Sequence, residues 1–437
     1  MVAPVICDGL RLYLGVGVTT PRGINRVDLT CGRYLLDNWP GDCVGVLPTP
    51  WGMRVYDRTL SRETVAYVEQ KWRENSAADN DPAYAYLRSR LIDGSLAVQD
   101  DLSGYKGGTT RPALPTAVAG LYRILRDTGV KWGKSAVRAA PNGAIYLNVG
   151  QMAWAMPTIT RWLRHRPDIR AVFMLHDVLP LEQPEFFSGP ARMAMNWMLD
   201  AVIARAAGLI TNTQAASDAI MAVLRARGLP DLPVCVAHLP VDDLFLQHEP
   251  QNSELSQNPY FLVCGAIEQR KNLSMLLRVW RRLVQQLGPA APRLVVAGSA
   301  VPNALSIMRE LQADEAMRRH IIVVSGLSSA HVRRLMANAR AVIMASLAEG
   351  FGLPIIEALT VGTPVLASDI PAHREVGGDR AWYRDPTDEA GWTEAIMRLA
   401  GPADAAVDAL RQRVATYTPQ TAAAYFDVVG DFLASLK

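Results

Sequence analysis

The sequence of 437 residues has few cysteines, little net charge and no long apolar run. The cysteines are dispersed and none forms a Cys-x-x-Cys pair, which predicts neither a disulfide framework nor a zinc site and favours a reducing compartment. No run of about 18 apolar residues occurs, so no segment is expected to span a membrane. The first residues lack the basic flank and apolar stretch of a signal peptide. We therefore expect a cytoplasmic protein. The five cysteines are Cys7, Cys31, Cys43, Cys235 and Cys264.

The formal charge of +3 is too small to indicate a nucleic-acid partner. It suits an enzyme that handles an anionic small molecule, or one that touches an anionic lipid surface. Hydrophobic residues make up 49% and charged residues 20% of the chain, which is typical of a folded globular protein. A chain of this length exceeds what one hydrophobic core normally supports, so two domains are expected.

Short apolar runs alternate with amphipathic stretches in the second half, as in a parallel sheet covered by helices on both faces. One helix is predicted from Asn272 to Gly288, one from Ser328 or Ser329, and one at Pro354. The first half repeats this pattern less cleanly, and residues 51–140 cannot be assigned. The predicted strands are Val5–Asp8, Ala144–Val149, Ala171–Leu175, Gly208–Thr211, Val234–Ala237, Tyr260–Cys264, Arg293–Ala297, Ile321–Val324, Ala341–Ala345 and Pro364–Ser368.

A polar linker at 248–259 predicts the domain boundary, with domains at 1–250 and 258–418. A last amphipathic helix, at 419–437, is expected to pack back on the first domain. Two doubly wound domains that face each other leave a central cleft at the carboxyl ends of their strands, where ligands of such folds bind.

The most informative stretch runs from Ser346 to Leu359. A strand ends near Ala345, a glycine-bearing loop follows, and Pro354 stands at the start of a helix. The amides of Gly350, Phe351, Gly352 and Leu353 then converge near a helix N-terminus, which favours an anion such as a diphosphate. Glu349 and Glu357 are acceptors suited to sugar and ribose hydroxyls. The alternative is a helix-dipole role for Glu357 and a solvated Glu349.

Glu349 and Glu357 have seven residues between them, and the stretch resembles the Glu-x7-Glu motif of glycosyltransferase family 4. The segment from Pro364 to Gly378 is similar to the one that follows this motif in the family. The resemblance implies a GT-B fold with two Rossmann-like domains and a retaining, metal-independent reaction without a cofactor. It also implies that Glu349 contacts the donor sugar and Glu357 the nucleotide ribose.

A second constellation, Cys264 to Asn272, lies between a strand and a helix. Arg270 and Lys271 are placed there to meet phosphate oxygens, although a basic pair on an exposed loop is the simple alternative. Lys271 matches the lysine of the family's Gly-Arg-x4-Lys pattern. The arginine of that pattern is Ala266 here, and Arg270 is the candidate replacement.

His176 follows the apolar strand Ala171–Leu175 and so lies at the carboxyl end of a sheet. A lone histidine there is usually structural, but the segment His176-Asp-x-x-Pro180 resembles the family's, which implies that His176 borders the reacting sugar. Leu327 ends a strand where a nucleobase can lie against backbone, or it belongs to an ordinary turn. Gly23, in Gly-Ile-Asn-Arg26, resembles the family's N-terminal loop.

Three further patterns have weaker meaning. Asp79-Asn80-Asp81 is formally a metal-binding Asp-x-Asp, but it lies in a polar loop, so coincidence is favoured and no metal is predicted. Gly15-Val-Gly17 lacks the third glycine of a dinucleotide fingerprint. The basic stretch Ile159–Arg166, with Trp162, fits a peripheral membrane contact and a solvated helix face equally well.

The resemblance implies transfer of a hexosyl group from a nucleotide-diphosphate sugar to a glycan or lipid-linked glycan, in bacterial polysaccharide biosynthesis at the inner face of the membrane. The His-Asp and Glu-x-Arg-Lys-Asn variants resemble the bacterial mannosyltransferase branch, so GDP-mannose is the first expectation and UDP-glucose the second. A GT-B epimerase or hydrolase, or a catalytically silent nucleotide-binding partner protein, remains an alternative.

Overall fold

The computed structural model describes residues 2–15, 23–49, 51–76, 81–93, 133–151, 156–229, 231–248, 252–301, 304–402 and 404–436. Its strands form one sheet in each half of the chain. The strands, numbered in chain order, are β1 Val5–Asp8, β2 Cys43–Thr49, β3 Gly52–Tyr56, β4 Lys134–Ser135, β5 Ile145–Asn148, β6 Arg170–Leu175, β7 Ala206–Thr211, β8 Val234–Val236, β9 Tyr260–Cys264, β10 Arg293–Ala297, β11 Ile321–Val324, β12 Ala341–Met344, β13 Val365–Ser368 and β14 Ala381–Arg384.

Helices connect most of the neighbouring strands. The described ones, in chain order, are α1 Leu10–Gly15, α2 Gly23–Asn38, α3 Arg58–Ser76, α4 Pro82–Leu91, α5 Ala136–Ala139, α6 Met156–Ile159, α7 Leu179–Glu182, α8 Gly189–Arg205, α9 Gln214–Ala226, α10 Asp243–Leu246, α11 Ser253–Gln257, α12 Leu273–Leu287, α13 Leu305–Ala313, α14 Glu315–His320, α15 Ser329–Asn338, α16 Leu353–Thr360, α17 Pro371–Gly377, α18 Glu389–Ala400, α19 Ala405–Ala415 and α20 Ala422–Ser435. Within the described ranges, no helix is both long and apolar enough to cross a bilayer.

The chain divides into two compact units. The first unit comprises Met1–Glu74, Arg111–Asp242 and Gln420–Lys437, and the second comprises Asn75–Thr110 and Asp243–Pro419. Helix α20 belongs to the first unit. Helix α4 belongs to the second unit, in which it packs beside β11.

The sheet of the first unit has the strand order β4-β3-β2-β1-β5-β6-β7-β8. Strands β1, β2, β5, β6, β7 and β8 are parallel, and β3 and β4 are antiparallel additions at one edge. Strand β6 is buried at all but its first residue, which explains its near-continuous apolar sequence, since a central parallel strand is covered on both faces. The order reverses between β1 and β5.

The sheet of the second unit has the order β11-β10-β9-β12-β13-β14 and is parallel throughout. Helix α12 buries Leu273, Leu276, Leu277, Trp280 and Leu283, which is the helical face that the sequence pattern predicts. The order reverses between β9 and β12, so chain connections leave in opposite directions from these two neighbours. In open α/β sheets, ligands bind outside the carboxyl ends of the strands at such a point.

The ten predicted strands are all present, with ends that differ by at most two residues. Strands β2, β3, β4 and β14 were not predicted. Pro48 and Gly45 interrupt the apolar run of β2, and proline is tolerated there because it lies near the end of the strand. The predicted linker at 248–259 contains the short helix α11, and the second unit begins before it, at Asp243.

Candidate functional site

Two loops meet at the carboxyl ends of β9 and β12, the neighbouring strands at which the order of the second sheet reverses. The first loop, 265–272, follows β9. Gly265 has φ +123°, and its carbonyl lies so close to Gly298 that a side chain on Gly298 would collide with it. The loop ends in a 3₁₀ turn, Gln269–Lys271, and α12 begins after Asn272. Asn272 was predicted as the helix cap; it takes a left-handed conformation with φ 58°, and its side chain donates to the carbonyl of Pro386 at 2.8 Å.

The second loop, 345–352, follows β12 and carries Glu349. The carboxylate of Glu349 contacts the ammonium group of Lys271 and accepts from the hydroxyl of Ser346 at 2.9 Å. Its other oxygen lies 2.6 Å from the guanidinium of Arg270. The three charged side chains are between 10% and 17% exposed, so they form a partly buried ion cluster. The structure thus brings together the three charged residues that the sequence pointed to in two separate loops.

Arg270 also connects the two loops through hydrogen bonds. Its guanidinium donates to the carbonyl of Ala348 at 2.7 Å and pairs with Glu268 at 2.5 Å. The amide of Leu347 donates to the carbonyl of Arg270 at 2.8 Å. The guanidinium of Arg270 thus contacts two carboxylates, those of Glu268 and Glu349, and a backbone carbonyl. Because all these partners hold it, Arg270 fixes the positions of Lys271 and Glu349 relative to each other.

The ionisation of Glu349 follows from its neighbours. Burial by itself raises the pKa of a carboxyl group, but Lys271 and Arg270 together outweigh burial and hold the pKa of Glu349 well below its usual range. The carboxylate is therefore ionised at neutral pH. An ionised acceptor in contact with a cation is suited to gripping a sugar hydroxyl.

Helix α16 begins directly after this loop. Gly352 precedes it with φ +101°, a conformation that glycine adopts readily, and Pro354 lies in its first turn. A methyl group on Gly352 would come within 3.3 Å of the ring of His373. Phe351 is 5% exposed and Glu357, one turn into the helix, is 3% exposed. The loop 350–353 therefore leads into a helix N-terminus, as expected, and Glu357 is buried.

His373 is a site residue that the sequence reasoning missed. It is fully buried in α17, and its Nδ1 lies 3.1 Å from the carbonyl of Ser368. Its Nε2 has no hydrogen-bond partner among the described residues. Burial lowers the pKa of His373 to about 4, with Glu349 acting in the opposite direction. A neutral ring that donates from Nδ1 leaves Nε2 as an acceptor beside Gly352.

His176 lies in the first unit, after β6. It is 5% exposed, and its Nε2 is 3.4 Å from the carbonyl of Val149. Burial, with a smaller contribution from Arg11, lowers the pKa of His176 to about 4. The ring is therefore neutral at pH 7 and not positively charged.

Asp8 and Asn148 end the two strands at which the order of the first sheet reverses. The carboxylate of Asp8 accepts from Tyr146 at 2.5 Å and from Asn148 at 2.8 Å. Burial raises the pKa of Asp8 despite these bonds. Asp28, on α2, is also buried, and burial raises its pKa to about 8. This carboxyl cluster was not predicted, although Asp8 at the end of an apolar strand gave the same signal as His176.

The remaining predicted residues occupy separate places. Gly23 is the first residue of α2. Leu327 is 4% exposed and lies between β11 and α15. Trp162 is buried and meets Tyr146 edge-on at 6.0 Å, so this ring belongs to the core, while the basic residues Arg161 and Arg164 are exposed and the lipid contact of the stretch 159–166 stays a prediction. Of the Asp79-Asn80-Asp81 triplet, Asp79 and Asn80 lie outside the described residues.

Asp81 caps α4 and pairs with His331 at 2.9 Å. In the part of the chain that the structure describes, no group of three or more His, Cys, Asp or Glu residues is arranged to hold a metal.

The chain is similar to known proteins in both sequence and fold. The family Glycosyl transferases group 1 matches residues 246–411. The serotype-specific mannosyltransferase WbdA of Escherichia coli is 28% identical over 246 residues, which are 52% of this chain and 30% of WbdA. The O-antigen chain mannosyltransferase RfbU of Salmonella typhimurium is 26% identical over 270 residues, which are 60% of this chain and 69% of RfbU.

Among solved structures, Anabaena Alr3699/HepE in complex with UDP has a TM-score of 0.51 and 17% sequence identity, over 73% of this chain and 82% of that one. This likeness concerns the fold alone. Together with the two observed sheets, it confirms the predicted GT-B class of two Rossmann-like α/β domains.

The fold and the two-loop site thus define a GT-B protein. Residues 246–411 are a group 1 glycosyltransferase domain, the family that the Glu349–Glu357 motif predicted, with distant homology to bacterial O-antigen mannosyltransferases. The chain spans under a third of the length of WbdA.

Proposed function

We propose that the chain is a retaining hexosyltransferase that uses a nucleotide-diphosphate sugar. The observation that carries the proposal is the ion cluster of Lys271, Arg270 and Glu349 beside the N-terminus of α16. It supplies positive charge for a diphosphate and an ionised acceptor for a sugar hydroxyl in one place, at the point of the sheet where ligands of this fold class bind.

In this proposal the leaving diphosphate lies between Lys271 and the loop Gly350, Phe351, Gly352 and Leu353. Glu349 holds a hydroxyl of the donor sugar, and Glu357 holds the ribose. Positive charge already fixed at the site stabilises the charge that develops on the leaving phosphate, which is the electrostatic contribution expected of a pre-organised site. The reaction then needs no cofactor, and we propose that it needs no metal.

Arg270 is proposed to take over the role of the arginine that the family has at the position of Ala266. Its guanidinium pairs with Glu349 and Glu268, so it acts on the phosphate partly by keeping Lys271 in place. Leu327 is proposed to border the nucleobase.

We propose that the first unit binds the acceptor, a glycan or lipid-linked glycan, and that His176 and Gly23 border the reacting sugar. GDP-mannose is the first candidate donor because both sequence relatives are named as mannosyltransferases, and UDP-glucose is the second. The setting proposed for the enzyme is polysaccharide biosynthesis at the cytoplasmic face of a bacterial membrane.

The test is sugar transfer by the purified chain. Wild type, Glu349→Gln and Lys271→Ala are incubated with labelled GDP-mannose or UDP-glucose and a glycan acceptor, with and without EDTA. We expect kcat/KM to fall at least about 100-fold in each variant, because each lacks a side chain that is proposed to stabilise the transition state. We expect EDTA to have no effect on transfer. Arg278→Ala is the matched control, since Arg278 is an exposed residue of α12 whose ion pair is with Glu389 of α18.

Undiminished transfer in both site variants would contradict the assignment of the site. Consumption of donor that does not depend on acceptor would favour the epimerase or hydrolase alternative. Failure of the wild-type protein to bind any nucleotide diphosphate would contradict the proposal as a whole.

A further inference from the structure

Helix α4 is an unexpected part of the second unit. It comes from a stretch of chain that lies between two segments of the first unit, yet it packs beside β11, the edge strand of the second sheet. Leu87 and Leu91 are fully buried there. Arg90 donates to the carbonyl of Arg318 at 2.6 Å, which ties α4 to the residues just before β11.

The first residues of α4 and of α15 are joined by side chains. Asp81 caps α4 by accepting from the amides of Ala83 and Tyr84, and Ser328 caps α15 by accepting from the amide of His331. The Nδ1 atom of His331 lies 2.9 Å from the carboxylate of Asp81 and 3.1 Å from the hydroxyl of Ser328.

The ring of His331 is also held from its face. Tyr84 stacks on it with ring centroids 4.1 Å apart and planes 8° from parallel. The side chains of Asp81 and His331 are only 13% and 11% exposed. An ion pair or hydrogen bond shielded in this way is stronger than one at an open surface. The four groups therefore form one fixed contact at the carboxyl end of β11.

That contact adjoins the loop Val324–Leu327, because Ser328 directly follows Leu327. The loop lies at the same sheet edge as Lys271, and β11 is two strands away from β9. Two strand spacings are roughly 10 Å, about the reach of a nucleoside from its diphosphate to its base. Helices α15 and α16 also contact each other.

We propose that Asp81, acting through His331 and Ser328, is a positioning residue that fixes the loop Val324–Leu327 for the nucleobase of the donor. This inference rests on the proposed function of the second unit. Asp81 itself touches no part of the donor. Its role is to hold in advance the backbone against which the base lies, so that binding does not have to order it.

The experiment compares ligands with and without a base. The dissociation constants of GDP, UDP and inorganic pyrophosphate are measured by calorimetry for the wild-type chain, Asp81→Ala and Arg88→Ala. Arg88 is the control because it lies on the same helix and its ion pair, with Glu254, is exposed. We expect Asp81→Ala to weaken the preferred nucleoside diphosphate by about tenfold while pyrophosphate changes by less than about twofold. Arg88→Ala should leave all three constants unchanged.

A second variant guards against a fold effect. His331→Phe keeps a ring for Tyr84 to stack on but loses Nδ1, and it should reproduce the selective loss, whereas Asp81→Asn should restore binding to within about threefold of wild type. The inference would be overturned if Asp81→Ala and His331→Phe bound the nucleoside diphosphate as tightly as wild type does. It would also be overturned if both variants lost as much affinity for pyrophosphate as for the nucleoside diphosphate. If the wild-type chain bound neither GDP nor UDP, the proposed function itself would be contradicted. That result is distinguishable because it is seen before any substitution is made.

Discussion

The two units have the same kind of sheet but different polar groups at the point where the strand order reverses. In the first unit this point carries Asp8 and Asn148, and burial raises the pKa of Asp8. In the second it carries Lys271 and Glu349, and the neighbouring cations lower the pKa of Glu349. One topology thus supports two chemistries. The first edge presents a buried acid that accepts hydrogen bonds from its neighbours, whereas the second presents cations beside a carboxylate, which suits an anionic diphosphate beside a sugar.

The largest expected effect that distinguishes the roles of the two units is a loss of kcat on substitution of His176. If the first unit serves the acceptor, His176→Ala should lower kcat by about 100-fold and leave the dissociation constant of the nucleoside diphosphate within about twofold of wild type. Transfer assays and calorimetry on the same preparation check this. If affinity for the nucleotide fell as much as kcat, the assignment of acceptor binding to the first unit and donor binding to the second would be wrong.

A smaller effect is expected from the glycine before α16. Gly352→Ala must adopt φ +101°, and its new methyl group meets Ile355 at 3.2 Å and His373 at 3.3 Å. We expect donor affinity to fall by about tenfold, because the loop that leads into α16 must shift. Gly362→Ala is the matched control at the other end of the same helix, with φ +79° and, among the described residues, no neighbour within 4 Å. It should lower stability without altering affinity, and equal affinity losses in the two variants would exclude a local effect of Gly352.

The smallest expected effect is a pH dependence of stability in the first unit. Burial raises the pKa of Asp28 to about 8, whereas an unfolded Asp titrates near 4. Between those values the folded state holds a proton that the unfolded state releases, so stability is present at low pH and is lost as the pH rises from about 4 to 8. Asp28→Asn should flatten this profile and raise Tm at pH 8 by at least about 2 °C relative to wild type.

Asp168 offers the opposite sign for comparison. Hydrogen bonds from Arg166 are the main cause that lowers its pKa, so its contribution is present at neutral pH and is lost as the pH falls through the acid range. Asp168→Asn should therefore lower Tm at neutral pH, and this difference from wild type should shrink as the pH falls below about 4. Thermal unfolding followed across this range checks both variants, and parallel profiles for Asp28→Asn and the wild type would show that Asp28 is not a buried acid.

The sequence was most informative where one local rule determined the structure. Central parallel strands such as β6 are buried on both faces and read as apolar runs, and loops after them carried His176, Lys271 and Glu349. His373 was equally accessible to this rule, since it follows β13 within five residues of Ser368. Its placement beside Gly352, however, depends on how two helices pack, which no local pattern specifies.

Helix α4 shows where sequence reasoning could not succeed. Asp81 and His331 are 250 residues apart. Their contact depends on a segment that lies between two parts of the first unit in the sequence but belongs to the second unit. Asp81 drew attention only as part of a formal metal motif, yet its carboxylate serves as a helix cap and a partner for a histidine. The strands β3 and β4 were missed for another reason, because they are short antiparallel strands and lack the continuous apolar sequence of a central parallel strand.

The central claim is that the switch point of the second sheet binds a nucleotide-diphosphate sugar through its ion cluster. Calorimetric titration of GDP-mannose and UDP-glucose into wild type and Lys271→Ala, both in EDTA, tests it most directly. We predict a dissociation constant in the range of about 1 μM to 1 mM for one donor and at least about 30-fold weaker binding by Lys271→Ala. Equal affinity of the two proteins for that donor would contradict the claim, as would the absence of binding to either sugar nucleotide.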